Sequence, residues 1–222
     1  MKAFTTMFMV SWLPDWHIFL QFAGAAIILT LIPGPDMALF VGRSISQGKQ
    51  AGFSCVLGCI NGIIIQVIAV SIGLSALIVA SPMAFLLLKI LGAVYLLWLA
   101  FQAIRNKSSF SLNQDRQARQ SFRKNYLTGL CINLLNPKVL LFNITFLPQF
   151  VDAADPYASG KILFLGLSFI PISLPFTITM VLAADKFAKF LKKNPRYVRC
   201  LDFLMAGIFT AFALRLLATQ AK

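Results

Sequence analysis

Apolar residues fall in six runs, at about 18–41, 53–79, 83–104, 126–150, 160–183 and 201–219, and at about 1.5 Å per helical residue each can cross roughly 30 Å of hydrocarbon. The pattern predicts an all-α membrane protein with six transmembrane helices. Residues 1–15 (MKAFTTMFMVSWLPD) read as an uncleaved interfacial segment, because no small-residue cleavage site follows and the next apolar run begins at once. Trp12, Trp16 and His17 are expected at headgroup level. Residues 16–222 then form a single transmembrane domain, with a first half (16–104), a polar, basic connector (105–124) and a second half (125–222).

Two of the runs are interrupted. Residues 31–40 (LIPGPDMALF) set Pro33, Gly34, Pro35 and Asp36 inside the first, where a helix cannot keep its backbone hydrogen bonds. A carboxylate at mid-helix costs about 3 kcal/mol even on insertion scales. The fourth run contains Asn133, Asn136, Pro137 and Lys138, a second combination of helix breaker and charge. Pro35 and Pro137 each suit the first position of a new half-helix, which leaves unpaired N–H groups and a positive dipole end at the break.

The two breaks sit at matching places in the two halves. Pro35-Asp36-Met37-Ala38-Leu39-Phe40 aligns with Pro137-Lys138-Val139-Leu140-Leu141-Phe142, Gly52 and Gly58 with Gly160 and Gly166, and Lys89 and Arg105 with Arg199 and Arg215. Each half holds three runs, an odd number, so the second must cross the membrane in the opposite sense, as in the inverted repeats of many secondary transporters. Broken helices 1 and 4 then meet near the midplane. Asp36 and Lys138 are expected to face each other or one polar cavity; at about 4 Å and an effective dielectric of about 20 such a pair gains roughly 4 kcal/mol. Half-helix ends and Lys138 suit a carboxylate, and Asp36 with the Asn133 and Asn136 side chains suits an ammonium. Gly34, Asp36, Asn133, Asn136 and Lys138 are the candidate substrate-binding residues, Pro33, Pro35 and Pro137 the helix-break residues, and Asp36 the coupling candidate.

Composition narrows the class. Of 222 residues 59% are hydrophobic and 12% charged, with a mean hydropathy of +0.80, outside the range of soluble domains. The net charge of +13 comes from cations gathered in alternate connecting segments: Arg43 and Lys49; the 105–124 connector; Lys186, Lys189, Lys192, Lys193, Arg196 and Arg199. The positive-inside rule places these in the cytoplasm and both termini outside. Membrane lipid is therefore the expected partner of the basic connector, and nucleic acid is not a partner. The four cysteines form no CxxC pair, there is no Glu and one His, and no Walker motif is present, so no metal site, cofactor or enzyme chemistry is indicated. An inorganic cation transporter and a non-transporting membrane assembly subunit remain as alternatives. A homo-oligomer is left open, since lipid-facing and partner-facing apolar surfaces look alike.

Other positions carry plainer expectations. Gly52, Gly58, Gly62 and Gly73 suggest close packing along the second helix. Asn61 and Gln66 need partners within the span, Pro171 and Pro175 are expected to kink the fifth, and Lys89 and Arg215 to snorkel. Asp202 is expected as a solvated acid at the start of the sixth helix.

The segments LIPGPDMALFVGRSISQGKQAG, GLCINLLNPKVLLF and FLPQF, over about residues 20–219, resemble the lysine and homoserine/threonine exporter family (LysE and RhtB type). The resemblance implies a six-helix exporter of amino acids or their derivatives in the bacterial inner membrane, driven by the proton motive force, with a small amino-acid-like substrate. The chain departs from the family in its N-terminal extension of about a dozen residues and in Asp36, where many members carry Asn.

Overall fold

A computed structural model describes residues 13–80, 119–152 and 155–218, with scattered positions between 83 and 105. The expectations placed on residues 1–12, on Lys89 and on the 106–118 part of the connector lie outside the described residues, as does the side chain of Arg215. Among the described residues the chain is all-helical, without a β-strand.

Helix α1 (Trp16–Leu31) stops where Pro33 offers no N–H, and Ile32 turns into extended backbone. Gly34, also extended, caps α2 (Pro35–Gln47), with Pro35 at the first helical position. Gly48, at φ 96°, reverses the chain in a single non-helical residue, a left-handed conformation that favours glycine. Helix α3 (Lys49–Ala80) follows, and the described positions between 83 and 105 are helical.

The second half repeats the pattern. Ser121 caps α4 (Phe122–Leu135), accepting from Lys124 N at 3.3 Å. Asn136 then caps the short α5 (Pro137–Leu141), its Oδ1 accepting from Lys138 N at 3.0 Å. The chain loosens into a π-helical turn (Phe142–Phe146) and a 3-10 turn (Leu147–Phe150). Helix α6 (Ala158–Leu182) continues through Pro171 and Pro175 as one element, followed by α7 (Ala184–Lys193) and α8 (Pro195–Ala218).

Helices α3 and α6 are long and apolar enough to span a bilayer by themselves. The pair α1 and α2 bends by 52° and the pair formed by α4 and the 138–150 segment by 57°; counting each bent pair as one span gives four.

Helices α3 and α4 cross at backbone contact. A Cβ on Gly58 would lie 2.1 Å from Tyr126 O, and one on Gly129 2.2 Å from Cys55 O. A Cβ on Gly62 would come 2.4 Å from Asn133 Oδ1, and one on Gly52 would strike the Ser44 hydroxyl. Three of the four glycines expected to pack closely therefore do so. At Gly73 a Cβ would meet nothing within 4 Å among the described residues.

Aromatic packing joins α1 to the second break and α6. Phe142 stacks on Phe146 with ring centroids 4.7 Å apart, and Phe22 meets Phe150 edge-on at 5.6 Å. A second apolar cluster, including Met37, Phe40, Cys55, Val181 and Ala188, ties α2 to α3, the end of α6 and α7.

Two expectations are revised. The basic segment after the fifth apolar run is an amphipathic helix: Ala184, Ala188 and Leu191 are buried at helical spacing while Lys186, Lys189 and Lys193 are exposed. Asp202 is buried, at 1% exposure, because α8 begins at Pro195 and carries the acid about two turns inside.

Candidate functional site

The first helix break frees the carbonyl of Ile32, which in an unbroken helix would accept from the N–H four residues on. Lys138 Nζ donates to it at 2.6 Å. The lysine stem lies along Gly34, where even a Cβ would come within 3.5 Å of Nζ. The second break thus supplies the partner that the first lacks.

The reverse exchange also occurs. Asp36, in the first turn of α2, accepts through Oδ2 from Asn133 Nδ2, on α4, at 2.7 Å. Asn133 is fully buried and reaches this position because Gly62 leaves room for its amide. Asp36 Oδ1 is buried and has no hydrogen-bond partner among the described residues. Asp36 and Lys138 therefore do not pair directly; each charge is held by an uncharged group of the opposite break.

Both charges line one cavity of about 80 Å³, room for several waters, walled by the two breaks, α3 and α6. Gly34, Asp36, Asn136 and Lys138 are on its wall, whereas Asn133 stands behind Asp36. Asn136 spends its side-chain oxygen on the α5 cap. Pro35 and Pro137 begin the two half-helices, and Pro33 lies between α1 and α2. The Asp36 carboxylate thus occupies the positive end of the α2 dipole.

A polar chain continues behind the wall. Gln66 Nε2, on α3, donates at 3.0 Å to the Asn133 carbonyl, which also accepts from Asn136 N at 3.0 Å where Pro137 offers no N–H. Asn143 Nδ2, in the π-helical turn, donates to Gln66 Oε1 at 2.8 Å. Gln66 therefore finds the partner it was expected to need on a neighbouring helix, while Asn61 is satisfied on its own helix by Leu57 O. Asn143 went unforeseen, although a lone amide in the run LLFNITF is a signal that could have found it. The wall residues Thr30, Phe169, Ser173 and Thr177 carried no such signal, since single hydroxyls and aromatics are common in apolar helices.

Comparison with known proteins follows the same chain length. Residues 27–220 match the family model described as LysE type translocator. An uncharacterized membrane protein of Vibrio cholerae is 25% identical over 214 residues, covering 93% of this chain and 100% of the relative. The uncharacterized membrane protein YrhP of Bacillus subtilis is 26% identical over 207 residues, 90% of this chain and 98% of its own. A leucine efflux protein of Klebsiella pneumoniae is 25% identical over 206 residues, 91% of this chain and 96% of its own. No solved structure matches.

Proposed function

We propose that this chain, which belongs to the LysE type translocator family, is a secondary exporter of amino acids or related small metabolites that works by alternating access. The observation that carries the reading is the reciprocal exchange across the cavity: Lys138 to Ile32 O, and Asn133 to Asp36. Two opposite charges, neither neutralised by the other, suit a zwitterion, with Lys138 for the carboxylate and Asp36 for the amine. The name of the Klebsiella relative, a leucine efflux protein, supports outward movement of an amino acid.

In this reading the helical positions between 83 and 105 and helix α8 are the third and sixth spans. The chain is then two inverted three-helix repeats that rock against each other about the midplane. The positive-inside pattern supports the bacterial inner membrane with the basic segments cytoplasmic and both termini outside. Proton coupling falls to Asp36, the acid on the cavity wall, with the buried Asp202 as a second candidate.

Cells overproducing the chain, challenged with a panel of amino acids, dipeptides and toxic analogues, should show a fall in at least one intracellular pool that collapses with an uncoupler. The Lys138→Ala chain should lose that fall. If no pool falls and Lys138→Ala changes nothing, the chain is not an exporter of this kind.

A further inference from the structure

The wall of the cavity speaks to the substrate's side chain as well as its backbone groups. Among the described residues Asp36 and Lys138 are its two charged residues, one of each sign, so a zwitterion would use both. No countercharge would then be left on the wall for a charged side chain. The hydroxyl donors are also committed. Thr30 Oγ1 donates to Ala26 O at 2.7 Å, Ser173 Oγ to Ile170 O at 3.2 Å and Thr177 Oγ1 to Leu174 O at 3.0 Å, each within its own helix. Beyond the two breaks and these hydroxyls the wall is apolar, with Phe40, Ile60, Ile63, Phe169 and Leu174 lining the space. A buried ammonium or carboxylate without a partner is strongly disfavoured there, and an apolar side chain gains by leaving water.

We propose that the cavity between the two helix breaks selects α-amino acids with a neutral, apolar side chain, holding the carboxylate at Lys138, the ammonium at Asp36 and the side chain against the α3 and α6 wall. This rests on the export reading above. It excludes dibasic and acidic amino acids as good substrates, and it requires both backbone charges: an apolar acid without the amine, or an amine without the acid, leaves Asp36 or Lys138 without its ligand. Loss of a single methylene from the side chain should weaken recognition roughly tenfold or more.

The test uses inverted membrane vesicles carrying the full-length chain, energised and offered labelled leucine, phenylalanine, lysine, aspartate, leucinamide and 4-methylpentanoate. Leucine and phenylalanine should accumulate at least fivefold above vesicles without the protein, and the other four should stay at the control level. Accumulation of lysine, aspartate or 4-methylpentanoate as strong as that of leucine overturns the assignment and leaves export standing. If nothing accumulates although the protein is verified in the vesicle membrane, the export reading fails and this inference falls with it.

Discussion

The side-chain amide of Asn133 donates to Asp36 Oδ2 at 2.7 Å, so a residue at the end of α4 fixes the charge that begins α2. A hydrogen bond to a charged group contributes about 1.5–3 kcal/mol, which corresponds to roughly ten- to a hundredfold in an equilibrium. Asn133→Leu should therefore lower efflux by about that factor at matched expression. Gly62→Ala should do the same without touching either partner, because its Cβ would lie 2.4 Å from Asn133 Oδ1. Wild-type efflux in the Gly62→Ala chain would show that the Asn133 position is unimportant.

Asp36→Asn separates charge from shape. The new amide oxygen can still accept from Asn133, so the cavity keeps its form while the proton-binding group is gone. Efflux measured between about pH 5.5 and 8, the range over which proton coupling is usefully varied, should lose its pH dependence. Full pH-dependent transport in this variant would remove Asp36 from the coupling role and turn attention to Asp202.

The α3–α4 crossing tolerates no side chain at its centre. Gly58→Ala and Gly129→Ala place a Cβ within 2.2 Å of opposing backbone atoms, and overpacking of this kind costs about 1–3 kcal/mol. Helix propensity works the other way by about 1 kcal/mol. Thermal unfolding in detergent should show a midpoint several degrees lower for both variants, and an unchanged or higher one for Gly73→Ala, where a Cβ meets nothing within 4 Å among the described residues.

Gln66 is tested by a double change. Gln66→Leu strands the Asn143 amide, at about 1–3 kcal/mol, and takes from the Asn133 carbonyl one of its two donors, Asn136 N being the other. Replacing Asn143 by Leu as well should recover part of the loss, since removing both partners is far less costly than removing one. A double variant as unstable as the sum of the single ones would mean that the two amides act separately.

Asp155, in the connection before α6, pairs with Lys161 and accepts from Tyr157 N at 2.8 Å. The Lys161 hydrogen bond, then that of the Tyr157 N–H, holds its carboxyl below the ordinary range. A depressed native pKa stabilises above the unfolded value, about 3.9, and that contribution fades as pH falls through the native one. Lys161→Gln should then cost no more than about 1 kcal/mol at pH 7, as expected for a partly exposed pair, and nothing at a pH low enough to protonate the carboxyl in the native state. A loss of equal size at both pH values would point to packing of the lysine stem instead.

The helix boundaries at the two breaks were legible because Pro33, Pro35 and Pro137 forbid continuous backbone hydrogen bonding whatever surrounds them. The placing of Asp36 and Lys138 on one cavity followed from the half-to-half alignment, which carries no distances. It could not reveal that each charge would be held by a neutral group, Asp36 by Asn133 in the room left by Gly62 and Lys138 by Ile32 O, since the Asn133 position depends on how closely α3 and α4 approach. Helix α7 was hidden for another reason: its inward apolar positions, 184, 187, 188 and 191, have a helical spacing, but its lysines dominate the local composition. Asp202 was misjudged because the apolar run begins six residues later than the helix itself.

Gly48 has a mechanical consequence. Gln47 Oε1 accepts from Gln120 N at 3.0 Å and from Asn125 Nδ2 at 3.3 Å, and Ser44 sits tightly against Gly52, so the foot of α2 is anchored beside its one-residue turn. The far end carries Asp36. Thirteen residues make α2 a lever arm of about 20 Å, and a rocking of about 10° at the foot would sweep its tip by roughly 3.5 Å. That sweep exceeds the reach of the Asn133 contact, so a modest pivot at a glycine would unlatch the carboxylate and carry it from one side of the cavity toward the other.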